Sequence, residues 1–364
     1  SLLYSMIFYK KKNNLKILYI FFIFLSLNIF FFSTVKSEGK TFDIDNIEIS
    51  RPFEINFDKN DVIDEGFKKA FFELISLIVK SSDKKKINLI KKNEIKGMVE
   101  KFSIKEEKFI DEIYYVNLGV SFHKKKIFGY LEKNNIFPSI PIKKNILFIP
   151  IIIDEEKNDL LIFSKNKVFD EWKNFSESFH LLEYILPTED LEDMNIIKSK
   201  YENIENYDFK DITKKYSLSD SIITLIFINE KEIRVLSKID IQKNIILKNQ
   251  SFPKIDIENV EQVKKIIYLL KNLYEDFWKD LNQINTSIKF PLNIMVKNND
   301  NSKILSFENT LKNTDLIYDF FIEKFDRDFT YYQITFNGTP DVFLKNMGEK
   351  NYLFETQNQI WKLK

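Results

Sequence analysis

Residues 146–153 read Ile-Leu-Phe-Ile-Pro-Ile-Ile-Ile and are apolar at every position. A strand that is apolar on both faces needs cover on both faces, as strands have inside a sheet flanked by helices. We therefore predict a buried strand here, with helices packed above and below it. Pro150 lacks the N–H that a neighbouring strand would bond, so it is expected to weaken pairing late in the strand.

The surrounding sequence supplies the rest of such a sheet. Helical spacing predicts two helices after this run, at 168–175 and 208–216. The turn at 229–232 fits a hairpin between two of the later strands. Residues 143–252 therefore predict a mixed sheet with helical cover. Its further strands are expected at 160–163, 181–185, 221–228, 233–239 and 245–247.

Residues 38–142 predict a smaller α/β unit. Apolar residues alternate loosely over 42–57, which predicts one or two strands. Residues 61–80 predict an amphipathic helix, because apolar residues recur there at steps of three and four. A polar stretch and a short helix are expected next, followed by a strand over 110–122 and a helix over 125–133.

Residues 253–364 predict a long helix and a third unit, after a linker at 251–258. An apolar seam from Val260 to Leu281 predicts one helix that packs on its own domain. The six elements after it follow the order β-α-β-β-α-β, the ferredoxin-like split βαβ pattern. The predicted fold class is α+β, with two or three small α/β units. The six spans are 288–296, 303–312, 316–325, 329–336, 342–347 and a last strand from Tyr352.

The first 37 residues predict a membrane-directed segment. Four lysines between Lys10 and Lys16 precede the uncharged apolar run 17–35, and Ser37 offers a small-residue cleavage site. This order is typical of a secretory signal peptide or of an uncleaved N-terminal anchor. We expect translation to begin at Met6.

The lysines before this run keep its start in the cytoplasm and export the remainder. We therefore predict a periplasmic protein, soluble after cleavage near Ser37 or anchored in the inner membrane by residues 17–35. The chain contains no cysteine, which excludes disulfides, cysteine metal ligands and cysteine nucleophiles.

Charge composition argues against a nucleic-acid partner. The 55 Lys and Arg residues are offset by 54 Asp and Glu, and nucleic-acid binders carry a basic excess. The abundance of Lys, Asn, Ile and Phe is typical of an AT-rich genome. We therefore interpret the lysine runs at 84–86 and 124–126 as solvated faces and loop ends.

The densest group of ionisable residues is Glu189, Asp190, Glu192 and Asp193. Carboxylates of this kind can bind a divalent cation such as calcium, but no Gly-containing ligand loop surrounds them. We favour a helix start, with Thr188 as the N-cap and the acids in the first turn, where the helix dipole stabilises them.

Other candidate side chains also have simpler interpretations. His123 is expected at a surface junction, and His180 follows Ser176 and Ser178 without the glycine pattern of a nucleophile elbow. Dinucleotide-binding, Walker and zinc-protease motifs do not occur. We therefore predict no catalytic, cofactor-binding or metal-binding residue. The tryptophans, expected in the core, are Trp172, Trp278 and Trp361.

Several segments in chain order carry a family resemblance. They are GFKKAFFELI at 66–75, YYVNLGVSF at 114–122, NIFP at 135–138, LFIPI at 147–151, LPTEDLED at 186–193 and ITKKY at 212–216. Together with the C-terminal βαββαβ order, they resemble a proteobacterial domain-of-unknown-function family, number twenty sixty-six. That resemblance implies an exported envelope protein and brings no assigned activity or catalytic residue.

The leading expectation is thus a non-enzymatic exported envelope protein that acts as an interaction or assembly module. Its partners would be envelope or membrane proteins, with membrane contact through the N-terminal segment. One alternative is a periplasmic hydrolase that uses dispersed carboxylates in a concave pocket. Another is a secreted surface protein of an AT-rich eukaryote, for which glycans on Asn174 or Asn337 would be diagnostic.

Overall fold

The computed structural model describes residues 42–87, 89–175 and 180–364. The proposed export segment lies outside these residues. Three β-sheets and their covering helices make up the described chain, which confirms the predicted α+β class. Residues 41–364 form one compact unit.

The N-terminal sheet has three antiparallel strands in the order β1-β3-β2. Its first helix begins after Asp58, whose carboxylate accepts the backbone N–H of Asn60 and caps the helix. The apolar face of this helix packs on one side of the sheet. The elements are β1 (Asp43–Pro52), α1 (Lys59–Ile78), α2 (Lys92–Met98), β2 (Val99–Ile110), β3 (Ile113–Phe122) and α3 (Lys124–Lys133).

Strand β2 was not predicted from the sequence. All its residues after Val99 are exposed, and bulges interrupt its pairing with β3 at Lys101 and between Ile104 and Glu106. An exposed strand with two bulges has no steady alternation of apolar and polar residues, which is the signal that sequence prediction uses.

The central sheet contains the apolar run as strand β4 (Lys144–Asp154), with its two faces in two separate hydrophobic cores. Helices cover both faces, as predicted. The strand order is β5-β4-β7-β8-β9, and β6 also pairs with β4. The other elements are β5 (Asp159–Leu161), α4 (Lys167–Asn174), β6 (Leu182–Ile185), α5 (Leu191–Ser199), α6 (Lys210–Thr213), β7 (Ser221–Ile228), β8 (Glu232–Ile241), β9 (Asn244–Pro253) and α7 (Val260–Leu281).

Pro150 lies where one edge of β4 has no strand partner among the described residues. On that edge β6 pairs with residues 144–147 and β5 with residues 152–154, so the missing N–H falls in the gap between them. The buried Asn166 side chain donates to Pro150 O at 3.0 Å and caps α4 with its oxygen. The proline is therefore accommodated inside the sheet without a lost ladder bond.

The C-terminal sheet has the order β11-β12-β10-β14-β13. Its last part differs from the prediction, because the strand expected from Tyr352 is only the two-residue edge strand β13. The chain then turns back, and β14 lies parallel to β10. The elements are β10 (Phe290–Lys297), α8 (Asn301–Asn313), β11 (Ile317–Phe325), β12 (Phe329–Phe336), α9 (Pro340–Gly348), β13 (Phe354–Glu355) and β14 (Ile360–Leu363).

Helix α7 carries a buried polar stripe on the side that faces the other elements. Lys271, Glu275 and Lys279 follow one another at four-residue steps and are only 4%, 2% and 3% exposed. Each of them bonds backbone groups of another element: Lys271 donates to Phe175 O, and Glu275 accepts the N–H groups that start β6. Lys279 donates to two carbonyls at the end of α1.

The lysine run at the start of α3 forms a second set of contacts between elements. Lys125 and Lys126 are exposed, as the interpretation of a solvated face expects, whereas Lys124 is half-buried. Lys124 donates to Thr314 O at 2.8 Å, and Lys125 pairs with Asp319 at 2.6 Å. Lys126 donates to Gly97 O at 2.7 Å. These bonds join α3 to the C-terminal sheet and to α2, and one hydrophobic core runs through both regions.

Replacing Gly66 by alanine should destabilise the fold. A Cβ at this position would lie 2.3 Å from Leu118 Cδ1, and Leu118 is fully buried, so either the Leu118 side chain or α1 must shift within a packed core. We expect a net loss of about 1–2 kcal/mol in the free energy of unfolding, because overpacking outweighs the better helix propensity of alanine. Gly129→Ala in α3 is the control, since a Cβ there meets no atom within 4 Å and should stabilise by up to about 1 kcal/mol. Urea denaturation measures the free energy of unfolding of both variants. Equal changes in the two would show that Gly66 is not needed for the close packing of α1 on β3.

Stability should rise between about pH 8 and 9, below the range in which tyrosines ionise. Burial lowers the pKa of Lys124 and of Lys279 from 10.5 to about 8. In this window the unfolded chain still holds both protons, whereas the folded chain has released them, so a higher pH favours the folded state. Lys279→Met should reduce the rise measured by chemical denaturation. Lys265→Met, on the exposed side of α7, should leave it unchanged, and an equal reduction in both variants would refute the assignment.

Candidate functional site

Beside the N-terminal sheet the surface forms an open groove of about 740 Å³, which we call the α1 groove. Concave surfaces that combine apolar area with a few polar groups are where proteins most often bind ligands. The groove is lined by Ile49, Arg51, Asp61, Asp64, Glu65, Lys68, Lys69, Phe72, Ile90, Lys92 and Ile95.

Helix α1 forms the floor of the groove with its outer face. Asp61, Glu65, Lys68 and Phe72 follow at steps of four, three and four, so they share one side of the helix. The opposite side of α1 packs on the sheet. Strand β1 borders the groove on one side, and α2 with the loop before it borders the groove on the other.

Apolar side chains provide the part of the groove that can exclude water. Ile49 and Ile95 are buried, and the half-buried Phe72 and Ile90 pack against the same hydrophobic core. An apolar side chain that enters the groove would therefore cover these residues and be removed from water, which stabilises association by roughly 25 cal/mol per Å² of apolar surface.

The β1 side of the groove is held by two polar contacts. The Arg51 guanidinium pairs with the Glu65 carboxylate at 2.6 Å. The Lys69 ammonium donates to the backbone oxygen of Glu48 at 2.9 Å. These contacts fix the distance between α1 and β1, although both are exposed and therefore weak individually.

The α2 side contains a small ion-pair network. Lys92 lies 3.0 Å from Asp61 and 3.3 Å from Asp64, and Lys96 lies 3.1 Å from Asp64. The hydrogen bond from Lys92 lowers the pKa of Asp61, and the same bond raises the pKa of Lys92. Asp61 therefore stays ionised at neutral pH and fixes the position of α2.

The charge pattern of the groove suits binding better than proton transfer. All three carboxylates that line it, Asp61, Asp64 and Glu65, are held in ion pairs. Lys68 has no hydrogen bond or ion pair within the described part of the chain. The groove thus offers a small apolar patch, formed mainly by Phe72 and Ile90, within a surface that is otherwise charged.

The acidic group at 189–193 has a lysine partner, Lys215, which was not predicted from the sequence. Lys215 lies 2.6 Å from the buried carboxylate of Asp193 and 3.4 Å from Asp190, so its pKa is raised. The N-cap is Asp190, whose side chain accepts the backbone N–H of Glu192 at 2.8 Å, and the expected cap by Thr188 is wrong. Lys215 thus provides the positive charge that a bound cation would supply.

The two histidines have different surroundings, one at the surface and one largely buried. His123 precedes α3, with Nδ1 4.0 Å from Glu100 on the surface. Burial and the neighbouring lysines, Lys271 first, lower the pKa of His180 to about 4, so it is neutral at pH 7. Its predicted neighbours Ser176 and Ser178 lie outside the described residues.

The tryptophans and the sequons have structural explanations. Trp172 and Trp278 are buried in the core of the central sheet, and Trp361 packs against the C-terminal core, as predicted. Asn337 is 3% exposed, so a glycan on the folded chain could not be attached there. Glycosylation at Asn337 therefore does not fit this fold.

Sequence reasoning missed the α1 groove. Its lining comes from a strand, a helix and a loop that are up to about 45 residues apart, and no local motif joins them. The one available signal was the charged side of α1, on which acids and lysines alternate at helical spacing. Such a pattern is common on any solvated helix, so by itself it does not indicate a site.

Comparison with known proteins adds no functional assignment. The chain matches no protein-family model, and no curated protein is significantly similar to it. Within the described ranges, no three His, Asp or Glu side chains are grouped to hold a metal ion. None of the described helices is long and apolar enough to cross a membrane.

The two lysines on the α2 side of the groove should act non-additively. Lys92→Ala and Lys96→Ala alone should each lower stability only slightly, because the lysines are exposed. Together they leave Asp64, whose side chain is only 14% exposed, without a cation, so the double variant should lose more stability than the sum of the two single variants.

Urea denaturation of the four proteins in this cycle measures the coupling. Lys92→Ala combined with Lys108→Ala on β2 is the control, because the two lysines have different carboxylate partners and their effects should add. If the stability losses of Lys92→Ala and Lys96→Ala simply add, the ion pairs on the α2 side of the groove do not form a network.

Proposed function

We propose that this protein is a non-enzymatic, exported envelope module that binds a protein partner in the α1 groove. The observation that carries the proposal is the groove itself: a concave surface with an apolar patch at Phe72 and Ile90, surrounded by paired charges and by Lys68 and Lys69. Interfaces combine a water-excluding centre with a polar rim in this way.

Export is the second part of the proposal and rests on the N-terminal sequence. The lysines between Lys10 and Lys16, the apolar run 17–35 and Ser37 support a secretory signal or an inner-membrane anchor. The resemblance to the domain-of-unknown-function family supports the same location. The partner would then be an envelope or membrane protein on the periplasmic side.

Filling the groove should abolish partner binding without unfolding the protein. Lys68→Trp places a large ring in the groove from an exposed helix position, where the core is not disturbed. Lys265→Trp makes the same change on the exposed side of α7 and is the matched control. We expect crosslinked pull-downs from intact cells to retain a membrane or periplasmic protein with the wild type and the control. The Lys68→Trp variant should lose that protein.

Fractionation of the same cells tests the location. N-terminal sequencing of the recovered protein should give a periplasmic form that starts near Glu38, or a membrane form that retains residues 17–35. A cytoplasmic full-length protein would overturn the export part of the proposal. Equal recovery of the partner with Lys68→Trp and Lys265→Trp would overturn the groove as the binding site.

A further inference from the structure

Strand β1 has an open edge beside the α1 groove. In the order β1-β3-β2, it pairs with β3 on one side, and no described strand pairs with its other side. Unpaired edge strands present N–H and C=O groups that can bond an added strand. Because Ile49 and Arg51 of β1 line the groove, a chain added at this edge would lie along the groove.

The register identifies which backbone groups face the open edge. Phe53 N–H donates to Glu112 O at 2.7 Å, and this pair continues the register of β1 on β3. Bonded and non-bonded pairs alternate in an antiparallel ladder, so Arg51 and Ile49 bond β3. Glu48 and Ser50 therefore direct their N–H and C=O groups to the open edge.

One of these edge groups already has a bond. The Lys69 ammonium on α1 donates to Glu48 O at 2.9 Å and occupies the position that the N–H of an added strand would take. An added strand would displace this ammonium, which then needs another acceptor. A carboxylate on the incoming chain would supply it, since bonds between ionised groups are the strong ones.

The charges around Lys69 favour the same partner. The three carboxylates that line the groove are paired with Arg51, Lys92 and Lys96. Lys68 and Lys69 are adjacent and both exposed, and neither forms an ion pair within the described ranges. An incoming acidic side chain would thus meet two ammonium groups, and the carboxylates that line the groove are already paired.

We infer that the partner of the groove is an extended acidic segment that adds as a strand to the open edge of β1. Its backbone bonds Glu48 and Ser50, its apolar side chains cover Phe72 and Ile90, and a carboxylate takes the Lys69 ammonium. This recognition mode combines main-chain bonding for affinity with side-chain pockets for specificity. The inference rests on the proposed function and adds the chemistry of the partner.

Synthetic peptides test the inference with the full chain in detergent. The probe is a fluorescein-labelled decapeptide of alternating valine and glutamate, and the comparison peptide alternates valine and lysine. The acidic peptide should bind more tightly in fluorescence anisotropy. Lys69→Glu should weaken the acidic peptide at least about tenfold and reverse the preference, because an attractive charge becomes repulsive.

Two controls distinguish this edge from other ways of binding. Lys101→Glu makes the same charge change on β2, the opposite edge of the sheet, and should leave the preference unchanged. Alternate peptide residues can be N-methylated in two ways, on the odd or on the even positions. One of these two peptides should no longer bind, because it lacks the N–H groups that bond β1. Amide hydrogen exchange should show protection of Glu48 and Ser50 when the acidic peptide is bound.

The outcomes separate this inference from the proposed function. If Lys68→Trp blocks the partner but neither Lys69→Glu nor N-methylation changes peptide binding, the groove binds its partner without strand addition and the inference is wrong. If Lys101→Glu reverses the preference instead, the added strand lies on β2 and the inference is again wrong. If no peptide binds and Lys68→Trp also has no effect, both proposals fail.

Discussion

The junction between the N-terminal and central sheets depends on the buried polar stripe of α7. A buried lysine or glutamate is costly unless its charge is bonded, and here backbone groups of other elements supply the bonds. Glu275 holds the first N–H groups of β6 at 2.7 and 2.9 Å, and Lys279 holds two carbonyls at the end of α1. The last carbonyls of a helix have no partner within it, so Lys279 acts as a cap supplied from a distant element. Removing one member would leave charges or backbone groups unbonded, and so the stripe fixes where these elements meet.

The same stripe connects the core to the groove. Helix α1 forms the groove floor, and α7 fixes its C-terminal end through Lys279 and through Asp276, which accepts both the N–H and the hydroxyl of Ser81. The N-terminal half of α1 is held by the ion pairs of Glu65 and Asp64 with neighbouring elements. A floor fixed at both ends keeps the β1 edge at a constant distance from the helix. A preformed surface of this kind loses little conformational entropy when a partner binds.

The sequence predicted the elements whose burial is one-sided or complete. The run at 146–153, the helix from Val260 to Leu281 and the first three strands of the C-terminal unit all appear, because their apolar residues follow the period of their structure. It could not predict β2, whose exposed residues carry no period, or the return of β14 beside β10, which depends on a turn after a two-residue strand. Lys124 was interpreted as part of a solvated run and no contact was predicted for Lys215, although their positions in the fold bring them to Thr314 and Asp193. Long-range polar contacts of this type cannot be recognised from a local sequence pattern. The same holds for the groove, whose lining comes from separate elements.

The two open edges of the N-terminal sheet differ in how they are protected from other chains. Strand β2 is long and exposes Phe102 and Phe109, yet two bulges interrupt its ladder, and lysines line it, as is usual for edges that must not pair. Strand β1 has no bulge between Ile47 and Pro52, and its edge carbonyl at Glu48 is covered only by the Lys69 ammonium. A bulge is built into the strand, whereas an ammonium on a flexible side chain can move away at little cost. The β1 edge is therefore protected reversibly, which is the property that a selective strand-binding surface needs.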